Sequence, residues 1–106
     1  MHPLTLCHLR DQVAAAMNGP NGAIDTTVVC CLLDAETLEE IGNHIFKNPD
    51  NKTRFEVANL FLDRATAEMQ LGNRKAAEEI CERARGIIRL RRHEQSINDR
   101  IIRILG

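Results

Sequence analysis

The chain has 106 residues, of which 43% are hydrophobic and 27% are charged. These proportions are typical of one globular domain and exclude a disordered segment. No run approaches the ~18–20 apolar residues of a membrane span, so we expect no membrane contact. The formal net charge of −1 is unevenly distributed, because residues 1–70 carry five basic against ten acidic side chains and residues 71–106 carry nine against five. We therefore expect a single domain, residues 1–106, with a basic C-terminal part.

Aromatic residues and cysteines narrow the class of protein further. The only aromatic residues are three phenylalanines, which disfavours a base-stacking surface for single-stranded nucleic acid. The cysteines lack the spacing of a disulfide framework and no signal-peptide pattern is recognised, so we expect a reduced, cytoplasmic protein. We expect the thiols to be mainly small buried apolar groups. The four cysteines are Cys7, Cys30, Cys31 and Cys81.

The first predicted helix runs from about Pro3 to Met17. Proline is favourable at a first helical position, because its missing N–H would have no partner there. Apolar residues recur at helical spacing on one face. These are Leu6, Leu9, Val13 and Met17. The breaker-rich residues 18–22 then end the helix and form a linker.

The next segment, residues 25–47, leaves two structures open. Residues 26–33 are rich in β-branched side chains and could form a buried strand, but no second strand-like run exists to pair with it. A helix is therefore preferred, because one continuous stripe of small and apolar residues at helical spacing runs along the segment. The stripe consists of Cys31, Ala35, Leu38, Gly42 and Ile45. Alternatively, Asp34 caps a shorter helix over 35–47.

Residues 53–88 have the pattern of two antiparallel helices joined by a short turn. Thr53 and Glu56 have the spacing of a capping box at the start of the first helix. Gly72 lies where a left-handed residue ends a helix, and Asn73 can cap the next helix directly. The predicted buried face of the first helix is Ala58, Phe61, Leu62, Ala65 and Met69. The predicted buried face of the second is Ala77, Ile80, Cys81, Ala84, Ile87 and Ile88.

A narrow apolar stripe, here called the seam, occupies positions 80, 83, 87, 90, 94, 97, 101 and 104 and continues past the end of the hairpin. Alternating steps of three and four residues are typical of a coiled-coil contact, with polar interruptions at Arg83 and Glu94. A continuous helix over 73–105 would be roughly 50 Å long at ~1.5 Å per residue. We expect such a helix either to bend near residues 91–95 or to project and pack on something else.

The hairpin over residues 54–88 resembles a single tetratricopeptide (TPR) helix pair. Ala65 matches the small residue at the helix crossing, Gly72 the turn, and Ala77 and Ala84 the two alanines of the second helix. Phe61 stands at the large apolar position. The pattern departs from the family at Arg64 and Glu68, where leucine and tyrosine are usual, and at Cys81, which replaces an aromatic residue. The resemblance implies a helical array that holds proteins together.

No residue pattern points to catalysis, a metal or a cofactor. The pairs Cys7-His8 and Cys30-Cys31 with His44 lack zinc-ligand spacing. No phosphate-binding loop, nucleophile elbow or His–Glu metal helix is present. We therefore expect no enzyme activity and no cofactor.

The sequence therefore predicts an all-α fold, a four- to five-helix bundle or TPR-like array with a long C-terminal helix. The predicted function is non-catalytic protein binding, as an adaptor, chaperone or inhibitor, through the seam and a rim of arginines, with a homodimer as one form of contact. The predicted contact residues are Ile87, Leu90, Ile97, Ile101, Ile104, Arg89, Arg92, Arg100 and Arg103. The alternative is a small regulator that binds nucleic acid through the arginine-rich helix.

Overall fold

The computed structural model describes residues 3–106 and forms six α-helices and two short 3-10 turns, with no strand in that range. The predicted all-α class is confirmed. The helices are α1 (Pro3–Met17), α2 (Thr26–Leu32), α3 (Ala35–His44), α4 (Asn51–Gln70), α5 (Arg74–Ile87) and α6 (Arg91–Leu105). The turns are Pro20–Gly22 and Ile45–Lys47.

Helix α4 is the centre of the fold, because each of the other five helices packs against it. Its most extensive contact is with α5, and the predicted hairpin is confirmed. Gly72 adopts the left-handed conformation expected at the turn, with φ of 82°, which glycine reaches without a Cβ clash. The small residues Ala65, Ala77 and Ala84 are fully buried, so the helices can approach closely.

The N-terminal helices confirm one prediction and correct another. Helix α1 has the predicted bounds, and residues 26–32 form a helix rather than a strand. The continuous stripe over 31–45 is wrong, because Asp34 accepts a hydrogen bond from the Thr37 N–H at 2.8 Å and starts a new helix. Cys31 and Ala35 consequently lie exposed, and the alternative reading of Asp34 as a cap is confirmed.

The predicted capping roles of Thr53 and Asn73 are wrong. Helix α4 begins at Asn51 because the carboxylate of Asp50 accepts the Thr53 N–H at 2.7 Å. Glu56 instead pairs with Arg10, at 2.6 Å between the charged atoms. Asn73 precedes α5, but its side-chain amide donates to Glu68 at 2.8 Å rather than accepting from the helix.

The predicted long C-terminal helix is broken at residues 88–90. Ile88 and Leu90 have extended backbone conformations, with ψ of 137° and 125°, and α6 then packs against both α4 and α5. A straight helix of roughly 50 Å would exceed the longest dimension of the fold, 36 Å. The break allows the apolar side of α6 to be buried on the same chain, which stabilises the bundle by removing apolar surface from water.

Candidate functional site

The predicted contact residues of the seam are largely inside the fold. Ile87, Ile97 and Ile101 are 5%, 1% and 3% exposed, while Leu90 and Ile104 are half-buried. The alternative in which the C-terminal helix projects and packs on something else is wrong, because α4 and α5 of the same chain cover the seam. The exposed large apolar residue of α6 is Ile102, on a different face of the helix.

The predicted arginine rim separates into three environments. Arg100 is half-buried and fastens α6 to α4, because its guanidinium donates to Asn59 Oδ1 at 2.9 Å and pairs with Asp63. Arg92 and Arg103 are exposed on α6. Arg89 is exposed in the break before α6 and, together with the buried seam residue Ile87, lines a cavity. Of the nine predicted residues, only Ile87 and Arg89 lie at this cavity.

This cavity, here called the arginine cavity, is an open concavity of about 410 Å³ between α3, the turn Ile45–Lys47, α4 and α5. Its volume is within the range of ~300–1,000 Å³ typical of ligand sites. Its lining residues are Glu39, Gly42, Asn43, Ile45, Phe46, Arg54, Phe61, Arg83, Gly86, Ile87 and Arg89.

Arg54 forms the inner wall of the arginine cavity and is only 5% exposed. Its guanidinium donates to the backbone carbonyls of Ile87 at 3.0 Å and Ile45 at 3.1 Å. Both carbonyls lie at helix C-terminal ends, where the helix dipole favours a cation. Its Nε has no hydrogen-bond partner, and none of the ion pairs among the described residues includes Arg54. Burial and the nearby charge of Arg89 lower the pKa of Arg54.

Two further arginines and one carboxylate lie at the mouth of the arginine cavity. The Arg83 guanidinium stacks over the Phe61 ring, 5.1 Å from its centroid, and is 3.5 Å from the carboxylate of Glu39. Both members of this pair are at least half exposed, so the pair is weak. With Arg54 and Arg89 included, three guanidinium groups face one carboxylate, and the formal charge of the lining is +2.

Apart from Asn43, the remaining wall is apolar and includes two glycines within helices. Phe46 is 81% exposed on the turn at the edge of the arginine cavity. A Cβ at Gly86 would meet no atom within 4 Å, and one at Gly42 would make ordinary contacts with Phe61 and Arg83. Glycine costs about 1 kcal/mol relative to alanine inside a helix. Neither glycine is required by packing, and the space beside Gly86 is open.

Sequence reasoning missed Arg54, although a signal was present. Arg54 falls on the same helical stripe as Ala58, Phe61 and Ala65, so a charge at a core position was visible. Arg83 was visible as a polar interruption of the seam and as the first arginine of the basic C-terminal run. Phe46 carried no pattern of its own, because its exposure follows from the 3-10 turn that ends α3.

Other candidate groups among the described residues do not converge on a site. No cluster of three or more His, Cys, Asp or Glu side chains there could hold a metal ion. All four cysteines are free thiols, but the expectation that they are buried holds only for Cys81, whose pKa is raised by burial. Cys7 and Cys31 are exposed. No helix in the described range has the length and apolar character needed to span a bilayer.

The fold and cavity together define an α-helical bundle with a cationic, partly apolar concavity. Comparisons with known protein families, curated proteins and solved structures gave no match for this chain. The relationship of the hairpin to TPR repeats therefore stays a prediction that rests on its own residues.

Proposed function

We propose that the protein is a non-catalytic binding module, an adaptor, chaperone or inhibitor, that holds a partner protein at the arginine cavity. The observation that carries this proposal is the exposed Phe46 beside a concavity walled by Arg54, Arg83 and Arg89. Aromatic and arginine side chains at a pocket are the residue types that dominate binding energy at protein interfaces. The proposed contact surface thus moves from α6 to the arginine cavity, and of the seam it keeps only Ile87.

The chemistry of the cavity supports binding rather than catalysis. Guanidinium groups stay protonated at physiological pH and act as hydrogen-bond donors. Glu39 is the only carboxylate of the lining, and the other polar side chain is the amide of Asn43. Such a wall recognises and orients a bound group, whereas proton transfer requires a group whose pKa is matched to the working pH.

The test is photo-crosslinking in the native cell with benzoylphenylalanine at position 46, compared with the same residue at the exposed position 102. We expect a discrete protein adduct from position 46 that is absent from position 102. Filling the cavity with Gly86→Met should abolish the adduct, since a side chain there enters open space. Equal adducts from both positions, or an adduct that survives Gly86→Met, would contradict the proposal.

The chemical nature of the adduct also tests the alternative function, a small regulator that binds nucleic acid through its arginines. Arg89, Arg91 and Arg92 are exposed where α6 begins, and they favour an anionic partner. An adduct that nuclease removes, with affinity for random duplex that falls steeply with salt, would assign the surface to nucleic acid. An adduct of twice the chain mass would make the partner a second copy.

A further inference from the structure

We propose that the segment bound at the arginine cavity is a peptide of the partner protein with one aspartate or glutamate flanked by apolar residues, whose carboxylate lies between Arg83 and Arg89. This inference rests on the proposed function and names the chemistry of the bound segment. The apolar flanks would cover Phe46 and the neighbouring wall. The carboxylate would meet two guanidinium groups that have no strong acidic partner.

Charge is the first argument for an acidic occupant. The lining carries a formal charge of +2, and Arg89 makes the charged state of the buried Arg54 less favourable. Elsewhere in the chain the half-buried arginines Arg64 and Arg100 have carboxylate partners. Among the residues that the structure describes, Arg54 is the buried arginine without a carboxylate partner. A carboxylate placed at the mouth would supply the missing negative charge through charge-assisted hydrogen bonds, the strong class of hydrogen bond.

Shape is the second argument, and it favours a side chain of a peptide. Below the two exposed arginines, the wall is formed by Ile45, Phe61 and Ile87 with the open space at Gly86. An apolar wall beneath a cationic mouth suits an apolar side chain that enters the cavity next to an acidic residue whose carboxylate stays at the mouth. Phe46 extends the apolar surface outward, which gives the residues next to the acidic one a place to pack.

Glu39 and the apolar wall both favour a carboxylate over a phosphate as the bound anion. Glu39 lies 3.5 Å from the Arg83 guanidinium, and it would repel a phosphate dianion at the mouth more strongly than a carboxylate of single charge. The apolar part of the wall adds nothing to the binding of a bare phosphate. A peptide with an acidic residue between apolar ones uses both parts of the cavity.

The test is selection of a phage-displayed random peptide library on the full chain, with Arg83→Gln/Arg89→Gln as the counter-selected variant. We expect enriched peptides with an acidic residue between apolar ones. In the matching synthetic peptides, Glu→Gln should weaken binding about tenfold or more, as the loss of a charged hydrogen-bond pair implies. The amide signals of Gly42 and Gly86 should shift on titration, while those of Gly19 and Gly72 should not.

Control variants on the same helix separate the effect of filling the cavity from a general effect of substitution. Gly86→Met should abolish peptide binding, whereas Glu79→Met and Arg85→Gln, exposed on the same helix outside the cavity, should leave it unchanged. Circular dichroism confirms that each variant is folded. Absence of enrichment, enriched peptides without an acidic residue, or equal affinity for Glu and Gln peptides would overturn this inference. If the crosslink at position 46 persists in those cases, the binding module stands and only its ligand chemistry is wrong.

Discussion

Arg54 and Arg64 lie on the same helix, and both donate to backbone carbonyls at the C-terminal ends of other helices. Arg64 donates to the carbonyls of Cys30 and Leu33 at the end of α2 and forms a salt bridge with Glu68 at 2.7 Å. Arg54 donates to Ile45 and Ile87 without a carboxylate. The two arginines therefore hold the bundle in a similar way but differ in whether their charge is neutralised.

The difference separates a purely structural site from one suited to a ligand. Glu68 is buried and also accepts from Asn73, so the Arg64 cluster is closed and balanced within the chain. The charge of Arg54 faces a cavity with two more arginines. A buried charge is costly unless it is paired, and helix dipoles alone offset only part of that cost. The excess charge at the cavity is available to a partner.

The largest expected effect is on folding when Arg64 is replaced by methionine. Arg64→Met leaves the buried carboxylate of Glu68 without its cationic partner, which should lower the free energy of unfolding by about 3 kcal/mol. Urea denaturation measures it. The double variant Arg64→Met/Glu68→Leu should recover most of the loss, since no buried charge is left. A loss below about 1 kcal/mol for the single variant would show that the pair contributes little.

The matched substitution Arg54→Met should have a smaller effect, about 1 kcal/mol. Two carbonyls lose their donor, but no carboxylate is left unpaired and a costly buried cation is removed. The same urea denaturation provides the comparison. A loss as large as that of Arg64→Met would mean that Arg54 is neutralised as effectively as Arg64, and the distinction between the two sites would fail.

The pH dependence of stability should arise in part from the Glu68 carboxylate of the Arg64 cluster and not from Arg54 in the arginine cavity. Burial alone would raise the pKa of Glu68, but hydrogen bonds from Asn73 and Arg64 outweigh it and hold the pKa below its ordinary value. The stability that this carboxylate contributes is therefore complete above its ordinary pKa of about 4.3 and is lost as pH falls through the lower folded value.

Glu68→Gln should accordingly flatten the acid side of the stability curve by at most about 1.4 kcal/mol per pH unit. Part of the slope should remain, because hydrogen bonds from Thr37 and Thr53 also lower the pKa of Asp34 and Asp50. Arg54→Met should keep the slope of the wild type. Thermal unfolding between pH 3 and pH 6 measures these slopes, and identical slopes for wild type and Glu68→Gln would contradict the assignment.

The smallest effect on folding is expected at the mouth of the cavity. Arg83→Gln/Arg89→Gln should change the free energy of unfolding by less than about 0.5 kcal/mol, as is usual for exposed side chains. The change from Arg89 should be towards higher stability, because its repulsion of Arg54 is removed. A marked loss of stability in thermal unfolding would show that these arginines serve the fold instead of a partner.

Much of the fold could be predicted because its signals are local. Helix α1 was defined by apolar spacing and by the breakers after Met17, and the turn at Gly72 by its position after an apolar run. The arginine cavity could not be predicted in the same way. Its residues come from positions 39 to 89, and Arg54 acquires its environment from carbonyls 9 and 33 residues away.

The sequence by itself determined the bounds of α1 and that α4 and α5 pair, because periodicity, breakers and small residues act within a few turns. Only the tertiary structure decided which apolar stripe is covered. Residues 88–90 contain neither proline nor glycine, yet the chain turns there. The turn places Ile97 and Ile101 in the core, which converts the predicted contact surface into packing. The physical reason is that burial depends on where a helix docks, and docking is settled by the whole chain.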